Sequence, residues 1–348
     1  MKFSSSRHRH YLQQRGISLV ELMVAITLSL ILGTALIQIF SSSRSANRVQ
    51  EASARLQENG RYTIDAMAQD IRMAGYMGCA SIDKVPVFIQ ATNPPADVIF
   101  SSSNIINGLD NVIAGNTYNA LAGTDVLIIR RAADTGVKLD GQMTADNANI
   151  SLVDNSPGFV SGDFLFISDC SSADLFCANN VSTGSITIAH SSSCNITPKL
   201  SKAYGAEAEV LAFRSIAYFI RDTGRTTVAG RPISALWMQS RNAGQAGVLG
   251  AAYELVEGVE DMQLEYGLDT NADGAPDEYR SANNISAAQW ADVITVRLNL
   301  LMQSIDEGLV GTSGEMVQNL QFNGAAVAQD GRLRQAFSTV IAIRNRLP

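Results

Sequence analysis

Residues 17–40, ISLVELMVAITLSLILGTALIQIF, form 24 successive positions with no Pro, no Lys and no Arg, and with Glu21 as the only charge. A chain that carries such a run has few places to put it. As a helix the run rises on the order of 36 Å, at about 1.5 Å per residue, enough to cross a hydrocarbon core of about 30 Å. Lys2, Arg7, Arg9 and Arg15 precede it and no acid does, which predicts a cytoplasmic N-terminus and a body on the far side of the membrane. Glu21 is then the anomaly, because a carboxylate inside a membrane helix is costly and marks a functional position.

Two ordinary explanations of the run fall short. A secretory signal would be cut after its apolar region at small residues, whereas here the chain continues into SSSRSANRVQEASARLQENGRY with weak A-x-A character. A plain single-pass anchor accounts for the hydrophobicity and leaves Glu21 unexplained. The full pattern is a short basic leader, then Gly16, then Ile17-Ser18-Leu19-Val20-Glu21, then the apolar run. It resembles the class III signal of type IV prepilins and pseudopilins. That resemblance implies cleavage by a membrane-embedded prepilin peptidase between Gly16 and Ile17 on the cytoplasmic side, with methylation of the new amine. Ile17 would be the first mature residue, where most members carry Phe, and Glu21 the acid at the fifth. An acid and an amine that meet between adjacent subunits in apolar surroundings favour one another far more than in water, and each alone is penalised there.

Past the membrane, Ser41 to Met73 holds no Pro and a single Gly, Gly60, with Leu56, Ile64, Met67 and Ile71 approximating one helical face. The helix is therefore expected to continue to about Gly75 and Gly78, soften at Gly60, and lay its stripe on the chain's own sheet. After Pro86 the pattern becomes β-prone runs between Gly, Asn, Asp and Ser. The expected strands are 124–131, 163–168, 185–190, 209–220, 233–238, 262–268, 292–302 and 337–344, joined by loops that suit antiparallel pairing. The fold class is α+β: a long N-terminal helix, membrane-spanning in its first half, packed on antiparallel sheet. The expected organisation is a leader over 1–16, the membrane half of the helix over 17–40, its periplasmic half over 41–78 and a β-rich body over 79–348.

Within that body, roughly 79–200 is rich in Asn, Ser and Gly and holds Cys79, Cys170, Cys177 and Cys194, which reads as a loop-rich insertion. An even count beyond an export-type segment fits two disulfides, in any of three connectivities. GYMGC at the helix end and ISDC after a strand resemble a recurring pair in PilW-type minor pilins, the tail RLRQAFSTVIAIRNRLP resembles their C-terminal strand, and LSKAYGAEAEV adds to the likeness. The resemblance implies Cys79 paired with Cys170 and Cys177 with Cys194. It also implies other minor pilins, a tip adhesin and the major pilin as partners. The corresponding location is the inner membrane before assembly and the pilus, at its tip, afterwards.

DTNADGAPDEY places Asp269, Asn271, Asp273, Ala275 and Asp277 at positions one, three, five, seven and nine of a loop, with Gly274 at the sharp turn. That spacing suits a structural Ca²⁺, with Glu265 and Glu278 as nearby sources of a further carboxylate, and resembles thrombospondin-type loops. Arg280 stands where an EF-hand has its Glu, and a polar hairpin turn uses the same residues equally well. No other cofactor is called for.

Enzyme classes find little support. There is no G-x-x-x-x-G-K-[ST] loop, and the sole His after the leader, His190, has no nucleophile elbow beside it and is expected to end a strand at the surface. Without the leader the chain counts 22 basic against 33 acidic residues, a net of −11, which disfavours binding to nucleic acid. The expected role is structural, a minor pilin that primes pilus assembly. A type II secretion pseudopilin and a tip adhesin with its own surface ligand are the alternatives.

Overall fold

The structure, a computed structural model, describes residues 16, 18–79, 81–182, 184–313 and 317–347; leader residues 1–15 and Ile17 lie outside that set. The chain divides into two compact units, Met1–Glu51 and Ala52–Pro348, and helix α1, Leu19–Arg72, runs through the boundary.

In the first unit the helix presents Leu19, Val20, Leu22, Met23, Ile26, Leu30, Ile31, Leu36, Ile37 and Phe40 as exposed side chains. Among the described residues, α1 is the one helix long and apolar enough to cross a membrane. Its few hydroxyls are turned inward on the backbone: Thr27 donates to the Val24 carbonyl, Ser29 to Ala25 and Thr34 to Ile31. Such back-bonding leaves the outer surface apolar.

In the second unit the same helix buries Ala52, Leu56, Gly60, Thr63, Met67, Ala68, Asp70 and Ile71, a face recurring at three and four residues. Leu56, Met67 and Ile71 join the main core, as the stripe predicts. Gly60 has another role than the expected softening, for the helix is unbroken there. A Cβ on Gly60 would stand 2.5 Å from the Phe337 ring, so the glycine is the seat of that ring. The helix stops where Gly75 turns to φ +74 and gives its N–H to the Arg130 carbonyl.

Nine longer strands follow: β1 Val126–Ala132, β2 Phe164–Ser168, β3 Ala173–Cys177, β4 Glu209–Thr226, β5 Pro232–Arg241, β6 Tyr253–Glu257, β7 Val259–Leu268, β8 Val293–Gln303 and β9 Arg334–Ala342. The 18-residue β4 is the axis of the larger sheet. Its first part, Glu209–Ala212, pairs with β2, while its later part pairs with β1 on one side and β5 on the other, all antiparallel. β3 lies outside β2 and β6 outside β5. The loop-rich segment before residue 200 carries both disulfides and also supplies β1, β2 and β3, with a core of its own around Leu165, Ile167, Phe176 and Val210.

The smaller sheet runs Glu278–Arg280, β7, β8, β9. Asp125, just before β1, fastens the larger sheet to β7. Its N–H donates to the Met262 carbonyl at 3.0 Å, and its carboxylate accepts from the backbone N–H of Asn111 and of Leu264 at 2.8 and 2.7 Å. Burial pushes the Asp125 carboxyl up to about 7, against those two hydrogen bonds.

Candidate assembly site

Helix α1 begins with a reciprocal pair of hydrogen bonds. The Ser18 Oγ accepts from the Glu21 N–H at 3.2 Å, and the Glu21 Oε2 accepts from the Ser18 N–H at 3.0 Å. This is a capping box, which satisfies two of the donors that a helix start leaves open, with the acid at the positive end of the helix dipole. The spacing S-x-x-E that marks it is itself a helix-start signal in the sequence. In the single chain Glu21 is thus occupied by its own backbone. Gly16 is exposed with open space around it. The Ile17 amine, its expected partner across a subunit contact, lies outside the described residues.

In the body, the helix is locked by a polar group that the sequence did not advertise. Asp70 sits on the buried face between Met67 and Ile71, and its Oδ1 accepts from Arg131 Nε and Nη2 at 3.2 and 2.8 Å. Its Oδ2 accepts from the Tyr218 hydroxyl at 2.6 Å. Arg131 comes from β1 and Tyr218 from β4, so one carboxylate fastens the helix to two adjacent strands. Arg131 also donates to Asp134 and to the Ala132 carbonyl. The Tyr218 hydroxyl is held far above its usual range, first by burial and then by the Asp70 charge. The warning sign was an acid on an otherwise apolar stripe, which survives burial only when paired and hydrogen-bonded.

The four cysteines pair as Cys79–Cys170, with Cα atoms 5.2 Å apart, and Cys177–Cys194, at 5.9 Å. The first bond joins the turn after α1 to the loop between β2 and β3. Close by, the fully buried Asp174 accepts from Gln90, Ser201 and Tyr204. His190 is buried rather than at the surface: it bonds the Ala148 carbonyl through Nε2 at 2.8 Å and packs edge-on to Phe176.

The 269–277 loop links β7 to Glu278–Arg280 and closes on its own backbone. Asp269 accepts from the N–H of Asp273 and Gly274, Asp273 from that of Ala275, and Asp277 from the Thr270 N–H and hydroxyl. Asn271 donates to Asp273 and Asp277. Glu265 and Glu278 are committed to Arg297 and Arg280. Among the described residues no group of three or more His, Cys, Asp or Glu is placed to hold a metal ion.

A helix apolar and exposed in its first part, and sewn into antiparallel sheet in its second, defines an α+β subunit with an N-terminal helix apolar enough to cross a membrane. Residues 12–37 match the prokaryotic N-terminal methylation motif, and residues 217–345 match the family described as Type IV Pilus-assembly protein W, PilW. Together these matches, one at each end of the chain, support a PilW-type pilin with a prepilin-like signal. A type IV-like pilin from Thermus thermophilus is similar among solved structures, with 10% identity and a TM-score of 0.33, over 84% of this chain and 98% of that one. At that score the likeness bears no weight. No curated protein matches the chain.

Proposed function

We propose that the protein is a minor pilin which enters the type IV pilus through its N-terminal helix, helps to prime assembly and takes its place in a tip complex. The observation that carries this reading is the methylation-motif match over 12–37, lying on a helix whose apolar side chains are exposed from Leu19 to Phe40. So large an apolar surface needs lipid before assembly and neighbouring helices after it. Prepilin peptidase cuts between Gly16 and Ile17, and the body waits on the periplasmic side of the inner membrane. Other minor pilins, the major pilin and a tip adhesin are the partners.

The capping box gives Glu21 a role in each stage. While the subunit is alone the carboxylate holds its own backbone; at a subunit contact it exchanges that bond for a neighbour's freed amine. Glu21→Val removes both the cap and the charge, whereas Glu21→Gln keeps a capping side chain and removes only the charge. Both variants should be cut normally and be excluded from pili. Pili that incorporate Glu21→Gln at the wild-type level would show that assembly needs the cap and not the charge. Sequencing of the mature N-terminus tests the rest: an intact leader, or a cut beyond Phe40, overturns the proposal.

A further inference from the structure

The outer face of the smaller sheet carries a cleft that the pilin fold does not require. β7, β8 and β9 are in register so that Gln263, Asn299 and Ser338 form one row across the sheet. Their neighbours along each strand, Leu264, Leu298 and Phe337, point the other way; Leu264 and Leu298 belong to the core, and the Phe337 ring packs against it. A hairpin, Gln321–Phe322 paired with Ala325–Ala326, turns through Asn323 and Gly324 at φ 48 and 75. It is held over the row by the Asn323 Nδ2 donating to Gln263 Oε1 at 3.1 Å. Between hairpin and row lies a cleft of about 280 Å³, lined by these residues with Ala336.

The lining contains no Lys, Arg, Asp or Glu, although the charged pair Arg297–Glu265 occupies the adjacent row. It consists of four carboxamides, a hydroxyl, the methyl of Ala336 and the aromatic residues Phe322 and Phe337. Gln263 is consumed in building the wall, since it donates to the Gly123 carbonyl and to Asp261, both at 2.9 Å, and accepts from Asn323. Asn299 accepts from the Ser338 hydroxyl at 2.7 Å. That leaves the Asn299 amide N–H, the Asn323 side-chain oxygen and the whole Gln321 carboxamide without a bonded partner among the described residues. The cleft thus offers both donors and acceptors, no net charge and an aromatic wall.

We infer that this cleft binds a neutral saccharide, one pyranose ring deep. An anion finds no cation there and a cation finds no carboxylate. A purely apolar ligand would strand the free amides, each of which needs a partner once covered. Vicinal hydroxyls both donate and accept, as carboxamides do, and the C–H face of a pyranose ring lies against an aromatic side chain. The volume, about 280 Å³, lies just below the range for small-molecule pockets, about 300–1,000 Å³, and fits a terminal sugar better than a long chain. The inference rests on the body alone and stands apart from the assembly reading.

The test uses the full chain in lipid nanodiscs, which avoids sugar-headed detergents. Lactose, maltose, cellobiose and N-acetylglucosamine are titrated and followed by saturation-transfer difference NMR, with glucuronate and glucosamine as charged comparators. At least one neutral sugar should bind in the millimolar range and the charged comparators more weakly. Gln321→Ala, on an exposed hairpin, and Asn299→Ala should each weaken binding about five- to tenfold while leaving the thermal unfolding midpoint unchanged. Absence of binding by every neutral sugar, equal binding of the charged comparators, or binding unaffected by both substitutions would overturn the inference.

Discussion

From Leu19 to Phe40, helix α1 turns its large apolar side chains, from Leu19 and Val20 to Ile39 and Phe40, outward. From Ala52 to Arg72 it has one buried face, a glycine fitted to a phenylalanine ring, and a carboxylate bound to two strands. The two halves share the same backbone hydrogen bonding and differ in what surrounds it. The first half is written for a uniform apolar solvent, where any outward side chain is acceptable if it is apolar and the backbone closes on itself. The second is written for particular neighbours, so that single atoms matter. Their contrast predicts opposite sensitivities to substitution, and both tryptophans, Trp237 and Trp290, lie in the body, so their fluorescence in urea reports on the body.

The largest effect on that readout is expected where the body-side end of the helix is stapled. Replacing Cys79 and Cys170 by Ser opens a loop with a sequence separation of 91 and should cost about 4.6 kcal/mol on loop-closure entropy. Opening Cys177–Cys194, with a separation of 17, should cost about 3.2 kcal/mol, and equal losses would contradict the entropic ordering. Next, Asp70→Ala leaves the buried Arg131 and Tyr218 without their shared acceptor and should lower stability by about 3 kcal/mol, the low end for a broken buried pair because Arg131 keeps Asp134.

Two glycines then compare the halves directly. Gly60→Ala drives a Cβ into Phe337 and should cost about 2 kcal/mol, whereas Gly33→Ala meets open space and should cost the body nothing. A pH series sharpens the contrast further. The folded Asp125 carboxyl, at about 7, lies above its ordinary 3.8, so the folded body holds that proton more tightly than the unfolded chain. Stability should fall as pH rises from about 4 to about 7, by up to roughly 1.4 kcal/mol per unit, and then level off. Asp125→Asn should remove that slope. The smallest effect on the body is expected from Glu21→Val, whose unfolding midpoint should match wild type even as incorporation into pili is lost.

All eight expected strand regions contain a strand, because alternating apolar runs bounded by Gly, Asn and Ser mark their own positions. The region 185–190 keeps only Thr187–Ala189, a small strand that depends on two short partners, Ile150–Ser151 and Asn180–Ser182. Ala173–Cys177 was missed for a different reason. It is buried throughout and has Asp174 at its second position, tolerable only because Gln90, Ser201 and Tyr204 arrive from far along the chain. The N-terminal methylation motif that residues 12–37 match is legible because it is linear. The capping box was equally linear, while Asp70 and the Gln263–Asn299–Ser338 row acquire meaning only once distant strands are in register.

The junction of helix and sheet also has a mechanical side. Tension applied to the body at Ala52 would be shared along the buried helix face from Ala52 to Ile71, and Asp70 would pass the last of it to β1 and β4 at Arg131 and Tyr218. Any stretch that outlasts those bonds meets the covalent Cys79–Cys170 link a few residues further on. The long strand β4 then shares the pull among the strands hydrogen-bonded along both of its edges. In that order of attachment the non-covalent contacts come first and a covalent link stands behind them.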